Sequence, residues 1–387
     1  MINYLTESQQ EYKEKLLIKK RIDSYYQKES VKNGLSGLER IKKYVPDKLM
    51  FKHLKRNIVI AQLDFEKVIS EIVTTGKFTI VSGLNPSTKL HYGHKMLFDL
   101  LLELQKLGAD IFIPLTNDET YLDQKSKSLG ASRSVAVEEI IPNIIAFGFK
   151  PRKTHIFIDT EYPDIYKLAI KISKYVSMSE LYKLFGNEAL SNPGQVFYRG
   201  CVQLAQILLP QMPEFGGPKL TLIPVGIDQH PYILLSRDVA KKMGLIPPAE
   251  LVIKFQPSLK SPELKMSKSD PLSAIFLSDD KNLVSEKIRK AFTGSVSSKL
   301  GHNKFGGIPE ICTVFNLLNN QCQDDDFVLK IYKNYKKGEL LTSDLKKIVT
   351  KLLTDINIKL QRKVKLISKN EINKFMLKKH LESVYDS

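Results

Sequence analysis

The chain of 387 residues contains no tryptophan and only three cysteines. The first absence means that translating it consumes no tryptophan. The cysteines, Cys201, Cys312 and Cys322, show no CxxC spacing, which excludes a disulfide framework and a thiolate zinc site. No apolar run is long enough to span a membrane. The opening stretch MINYLTESQQEYKEK carries Glu7, Glu11 and Glu14, which fits neither a secretory signal nor an acid-poor transit peptide. A reducing cytoplasm is therefore the expected setting.

Positive charge is what the chain has in excess. The net charge of +17 points to a polyanionic partner, nucleic acid first. Lysine outnumbers arginine heavily, as it does wherever surface lysine is simply abundant, so charge alone tilts the reading only modestly. With 42% hydrophobic residues at this length, the chain can build a real core and two or three domains.

The stretch 77–122 organises the rest. Residues 78–81 form a short β-branched run, read as a buried strand. Ser82 to Thr88 is a turn cluster that includes Pro86 and Ser87. His91-Tyr92-Gly93-His94 then opens a helix whose apolar positions Met96, Leu97, Leu100, Leu101 and Leu104 recur at helical spacing. A helix N-terminus offers unpaired N–H groups and a positive dipole end, which suits a phosphate. Gly93 has no Cβ, so a flat ring or a phosphate can approach the backbone. Two histidines three apart also fit a metal's spacing, but no carboxylate or cysteine accompanies them locally.

Further strand-like runs occupy 110–115, 154–159, 220–225 and 251–255, with 57–60 as another short candidate. Helical patterns fill 95–107, 132–147, 166–209 and 232–242. This alternation predicts an α/β fold with a doubly wound parallel sheet. In the common strand order 3-2-1-4-5, the loop after the first strand and the GIDQ turn after the fourth flank one crevice. Gln203 and Gln206 lie in an apolar helical stretch, and a buried amide needs partners. The loop 257–270 carries Lys265-Met266-Ser267-Lys268-Ser269, charged donors that can close over a polyphosphate. Beyond residue 294 the alternation stops, and helices are expected at 311–318, 326–335 and 342–366. The domain division that follows is a helical appendage at 1–45, a catalytic α/β domain at 46–277 with a helical insertion at about 160–210, and a C-terminal all-helical domain at 278–387.

Each motif alone is weak, but HYGH, GIDQ and KMSKS in this order are specific together. They resemble the class I aminoacyl-tRNA synthetases. The segments LTNDETYL, VGIDQHPYILLSRDVA, KMSKSDPLSAIFLSD and KFGG are similar to tryptophanyl-tRNA synthetases of the archaeal and eukaryotic type, over about residue 46 onward. The resemblance implies a Rossmann-like catalytic domain and activation of tryptophan by ATP, then transfer to tRNA(Trp) by a cytoplasmic homodimer. The C-terminal domain would bind the anticodon.

Residue roles follow from the same resemblance. His91 and His94 would contact the ATP phosphates, and Gly93 would let the adenine lie close. Lys265 and Lys268 would hold the β- and γ-phosphates, with Ser267 and Ser269 donating hydroxyl bonds. Pro86, Ser87 and Met266 belong to the same nucleotide motifs. Asp228 and Gln229 would bind ribose hydroxyls or the amino-acid ammonium. Gln203 matches an ammonium-contacting glutamine, and Thr116 and Glu119 match positions near the substrate. Mg2+ would accompany ATP without a dedicated protein ligand. Departures stand out: Val81 and Pro114 occupy positions where human-like members place a tyrosine and a glutamine around the indole nitrogen, and His230 replaces an acidic residue. Tyrosyl-tRNA synthetase shares the motif order, but its strand tyrosine is apolar here. A non-catalytic RNA-binding paralogue would have no physical need for intact HYGH and KMSKS.

Overall fold

The computed structural model describes residues 2–42, 45–186, 192–267 and 270–385. Seven strands form one sheet: β1 (Ser36–Gly37), β2 (Val59–Leu63), β3 (Thr79–Val81), β4 (Asp110–Leu115), β5 (Thr154–Ile158), β6 (Thr221–Val225) and β7 (Ala249–Ile253). Their spatial order is β1-β2-β7-β6-β3-β4-β5. The five strands from β7 to β5 are parallel, and they realise the 3-2-1-4-5 order. Their sequences are nearly continuous apolar runs because helices cover both faces of a parallel sheet. Strand order reverses between β3 and β6, so the loops that leave these two strands open on one crevice.

The sheet reaches further than the alternation predicts. β2 pairs antiparallel with β7, and β1 pairs antiparallel with β2. Residues at the end of the N-terminal segment thus enter the sheet. That segment is one helix, Ile2–Lys32, followed by Gly34 in the left-handed region at φ 66°. The helix lies along Lys299–Phe305: Tyr12 stacks on Phe305 at 5.6 Å, and Ser8 Oγ is 2.8 Å from Ser298 Oγ. Near its other end Arg21 forms a two-pronged pair with Glu263, at 2.7 and 3.1 Å.

The C-terminal half is helical, as expected. Its long helix, Thr342–Val364, acts as a strut behind the HYGH segment. The buried Tyr92 hydroxyl lies 3.0 Å from the carbonyl of Leu353 and 2.8 Å from Asn357 Oδ1. Asn357 in turn donates to the carbonyls of Phe276 and Asp279, at 3.0 and 2.9 Å. The chain then returns to the sheet: Ile156 of β5 exchanges backbone hydrogen bonds with Phe375 and Leu377, at 2.8 and 2.7 Å. This covers an edge that would otherwise expose unpaired backbone groups. One apolar core takes in Leu38, the sheet residues Ile80 and Ile111, and Leu353 and Phe375 of the helical half. All three cysteines are buried free thiols. Among the described residues no helix is long and apolar enough to cross a membrane.

Candidate active site

The HYGH segment caps its own helix, Tyr92–Lys106. His91 Nδ1 accepts from the Gly93 N–H at 3.1 Å, and His94 Nδ1 accepts from the His91 N–H at 3.1 Å. With each Nδ1 an acceptor, the ring proton of each neutral imidazole sits on Nε2, the donor that a phosphate oxygen can accept from. The rings lie 3.9 Å apart, centroid to centroid. At Gly93 a Cβ would stand 2.9 Å from His91 Cε1 and 3.0 Å from its Nδ1, so a side chain there would push the ring aside.

Backbone pairing joins this segment to the chain that follows the KMSKS loop. His91 bridges Phe276, Tyr92 N donates to the carbonyl of Ile275 at 3.2 Å, and Leu277 N donates to that of Leu90 at 2.9 Å. The loop itself is braced at its base. Pro257 bridges Lys265, Ser258 N donates to the carbonyl of Leu264 at 2.8 Å, and Met266 N donates to that of Gln256 at 2.8 Å. The Met266 side chain is buried in the core, which leaves its neighbour Lys265 directed outward. Lys268 and Ser269, both expected at the phosphates, lie outside the described residues. Ser267 is described, and its carbonyl accepts from the Ser273 hydroxyl at 3.4 Å.

Lys265 Nζ reaches Asp228 Oδ2 of the GIDQ turn at 3.2 Å and lies 5.3 Å from the centre of the Phe255 ring. Both charged groups stand on the rim of a cavity of about 1100 Å³. Its other walls include Arg21 and Tyr26 of the N-terminal helix and Phe315 and Tyr332 of the helical half. The volume lies just above the usual range for a small-molecule pocket. The imidazoles do not line this cavity; their link to the loop is the pairing at 274–277. The neighbour of Asp228, Gln229, accepts at Oε1 from Gln203 Nε2 at 3.3 Å.

A second polar group lies at the ends of β4 and β5. Thr116 Oγ1 donates to Glu119 Oε2 at 2.9 Å, and Thr116 N is held by the carbonyl of Leu84 in the turn cluster of Pro86 and Ser87, at 3.0 Å. Burial raises the Glu119 carboxyl above its ordinary value. Asp159 is fully buried just beyond β5; burial, with Asp118 beside it, raises its carboxyl well above the usual range. Gln206 Nε2 donates to Asp159 Oδ2 at 2.6 Å and lies 3.4 Å from the Tyr198 hydroxyl, while Tyr166 donates to Asp118 Oδ2 at 2.8 Å. Arg199 joins from the same helical segment, reaching Asp123 Oδ1 and the Tyr232 hydroxyl, each at 2.8 Å. Sequence reasoning took Asp159 as a strand end and gave Tyr198 and Arg199 no role. The available signal was position: a carboxylate at the carboxyl end of a parallel strand faces the ligand edge. Val81 and Pro114 lie at the same strand ends, in register with Phe112 and Phe157, and add no polar side chain.

Comparison with known proteins agrees with this layout. Residues 74–356 match the model of the tRNA synthetases class I (W and Y). The chain is 38% identical over 315 residues to the tryptophan–tRNA ligase of Methanocaldococcus jannaschii, covering 79% of this chain and 84% of that one. It is 39% identical over 300 residues to the tryptophan–tRNA ligase of Saccharolobus solfataricus, covering 76% and 77%. The crystal structure of tryptophanyl-tRNA synthetase from Aeropyrum pernix superimposes with a TM-score of 0.83 at 28% identity, covering 91% of this chain and 96% of that one. Fold, motif order and sequence therefore agree that the chain belongs to the class I tRNA synthetases of tryptophan and tyrosine, among the tryptophan–tRNA ligases.

Proposed function

We propose that the chain activates tryptophan with ATP and transfers the acyl group to the 3′-terminal ribose of tRNA(Trp). A tryptophan carboxylate oxygen attacks the α-phosphate, the bond to the bridging oxygen breaks, and pyrophosphate leaves. No protein nucleophile takes part; catalysis is positioning plus charge stabilisation. The observation that carries this reading is the chain of contacts from Lys265 to Asp228 and, in the same turn, from Gln229 to Gln203. It runs from a cationic loop suited to a leaving pyrophosphate to amides suited to an amino acid. His91 and His94 donate to the phosphates through Nε2. Lys268 and Ser269 extend the cationic loop, with Ser267, while Pro86, Ser87, Gly93 and Met266 shape the nucleotide's seat.

Mg2+ arrives on the triphosphate; among the described residues no three His, Cys, Asp or Glu side chains cluster to hold an ion. Residues 278–387 are proposed to contact the tRNA anticodon, and the working form to be a cytoplasmic homodimer. Sedimentation that found a fully active monomer would remove the dimer. The decisive experiment is ATP–pyrophosphate exchange with each of the twenty amino acids. Exchange with tryptophan alone is expected, and exchange with tyrosine instead would overturn the assignment.

Glu119 supplies a pH-dependent test. Its neighbours are Asp123 and Lys125 on its own side, Asp159 beyond β5, Arg199 and Tyr198 from the helical segment, and Tyr232. Burial favours its neutral form, whereas the role proposed for it here, meeting the substrate ammonium beside Gln203, needs it ionised. The KM for tryptophan should therefore rise as pH falls from neutrality through the range just above the ordinary glutamate value, 4.5. Glu119→Gln should flatten that profile. The stability sign is opposite: a raised carboxyl favours folding below its unfolded pKa and loses that contribution as pH rises through the folded value. The variant should thus be at least as stable as the parent at neutral pH while binding tryptophan less well. A parallel profile in both proteins would exclude the role.

A further inference from the structure

We infer that Gln206 reads the indole N–H of the bound tryptophan through its amide oxygen; the inference rests on the tryptophan reading above. An indole nitrogen is a donor only, and burying it without an acceptor costs free energy. The strand ends cannot supply one from side chains, because they carry Val81 and Pro114. The Pro114 carbonyl is already engaged by Leu84 N at 2.9 Å.

The helical segment that brings Gln203 to Gln229 continues inward. Gln206 lies three residues on, so it projects from the same face one turn deeper. Contacts run from the exposed Lys265 to Asp228 and, from the adjacent Gln229, to Gln203; Gln206, 3% exposed, lies one helical turn further along. An amino acid whose ammonium sits at Gln203 points its side chain along this path, away from the phosphates.

The orientation of the Gln206 amide is set by its surroundings. Its nitrogen faces Asp159 Oδ2 at 2.6 Å and the Tyr198 hydroxyl at 3.4 Å. With its nitrogen on Asp159 Oδ2, the amide turns its oxygen away from the carboxyl. The oxygen Oε1 is left, and among the described residues it accepts no hydrogen bond. A glutamine whose nitrogen is engaged by Asp159 and Tyr198 presents its oxygen as the acceptor a donor-only ligand needs. Asp159 is on this account a positioning residue, acting through Gln206. On this account Gln206 selects against bicyclic side chains of the same shape that lack the N–H.

The test measures pyrophosphate exchange with tryptophan and with its benzothiophene analogue, in which sulfur replaces N–H. The unmodified enzyme should prefer tryptophan by about 10–100-fold in kcat/KM, the fold-change of a buried hydrogen bond made or missed. Gln206→Met, which keeps the length, should bring the ratio near one by losing activity on tryptophan alone. Equal use of both substrates by the unmodified enzyme would overturn the inference without any variant. So would a ratio unchanged in Gln206→Met, or one that collapses in Tyr198→Phe instead. Failure of the unmodified enzyme to exchange with tryptophan at all would sink the tryptophan reading itself, and the inference with it.

Discussion

Alanine at position 265 is expected to slow ATP–pyrophosphate exchange by about 10²–10³-fold, equivalent to about 2.7–4 kcal/mol of transition-state stabilisation. The argument begins with where the lysine rests. Its ammonium lies 3.2 Å from Asp228, with 58% of the Lys265 side chain and 43% of the Asp228 side chain exposed. An ion pair that open to water contributes at most about 1 kcal/mol. The lysine can therefore leave Asp228 for a phosphate at little cost, and the pair does not hold the fold together. The loop is anchored instead by Met266 and by the backbone bonds at Gln256 and Ser258. Removing the Lys265 side chain leaves those anchors in place, so the free energy of unfolding should stay within about 0.5 kcal/mol of the parent. Tryptophan affinity should also hold, because Lys265 contacts the amino-acid amides only through the Asp228 turn. The expected signature is a fall in exchange rate with binding and stability preserved. An exchange rate equal to the parent's would remove Lys265 from the reaction.

Much of this site was legible in the sequence because each part has a local pattern. The buried parallel strands are short apolar runs between turn clusters, and their order follows from the alternation with helices. HYGH, GIDQ and KMSKS each lie in the connection that follows a strand of that sheet, so motif order carried the crevice with it. What was not legible depends on distant partners. β1 is two residues, Ser36–Gly37, within a polar connection, and no periodicity marks so short a strand. The return of Phe375 and Leu377 to β5 joins positions more than two hundred residues apart. The acid–amide group of Asp118, Asp159 and Gln206 exists only once β4, β5 and the helical segment are packed together. Gln206 was marked in the sequence as a buried amide in need of partners; that those partners are Asp159 and Tyr198 emerges only when the strands and the helical segment are packed together.

His230 makes the same point and supports the largest stability effect expected here. In the sequence it is a departure, a histidine where an acidic residue is usual. In the fold it opens the helix His230–Lys242 and meets Glu250 of β7, with Nδ1 2.7 Å from Oε2. The two side chains are 1% and 0% exposed. His230 Nε2 and Glu250 Oε1 have no other hydrogen-bond partner among the described residues. Each group therefore depends on the other, and an acid at 230 would set two carboxyls against each other in the core. Removing the imidazole strands a buried carboxyl group in the sheet, so His230→Ala should cost about 3–5 kcal/mol in equilibrium denaturation. Replacing both partners at once, His230→Leu with Glu250→Met, removes the stranded group and should recover most of that loss. The pair also pins the GIDQ turn to the strand that leads into the KMSKS loop. At a temperature where His230→Ala is still folded, its KM for ATP should rise, because Asp228 and Gln229 lose their anchor to β7. A single variant within about 0.5 kcal/mol of the parent, or a double variant no better than the single, would show that the pair does not fasten this turn.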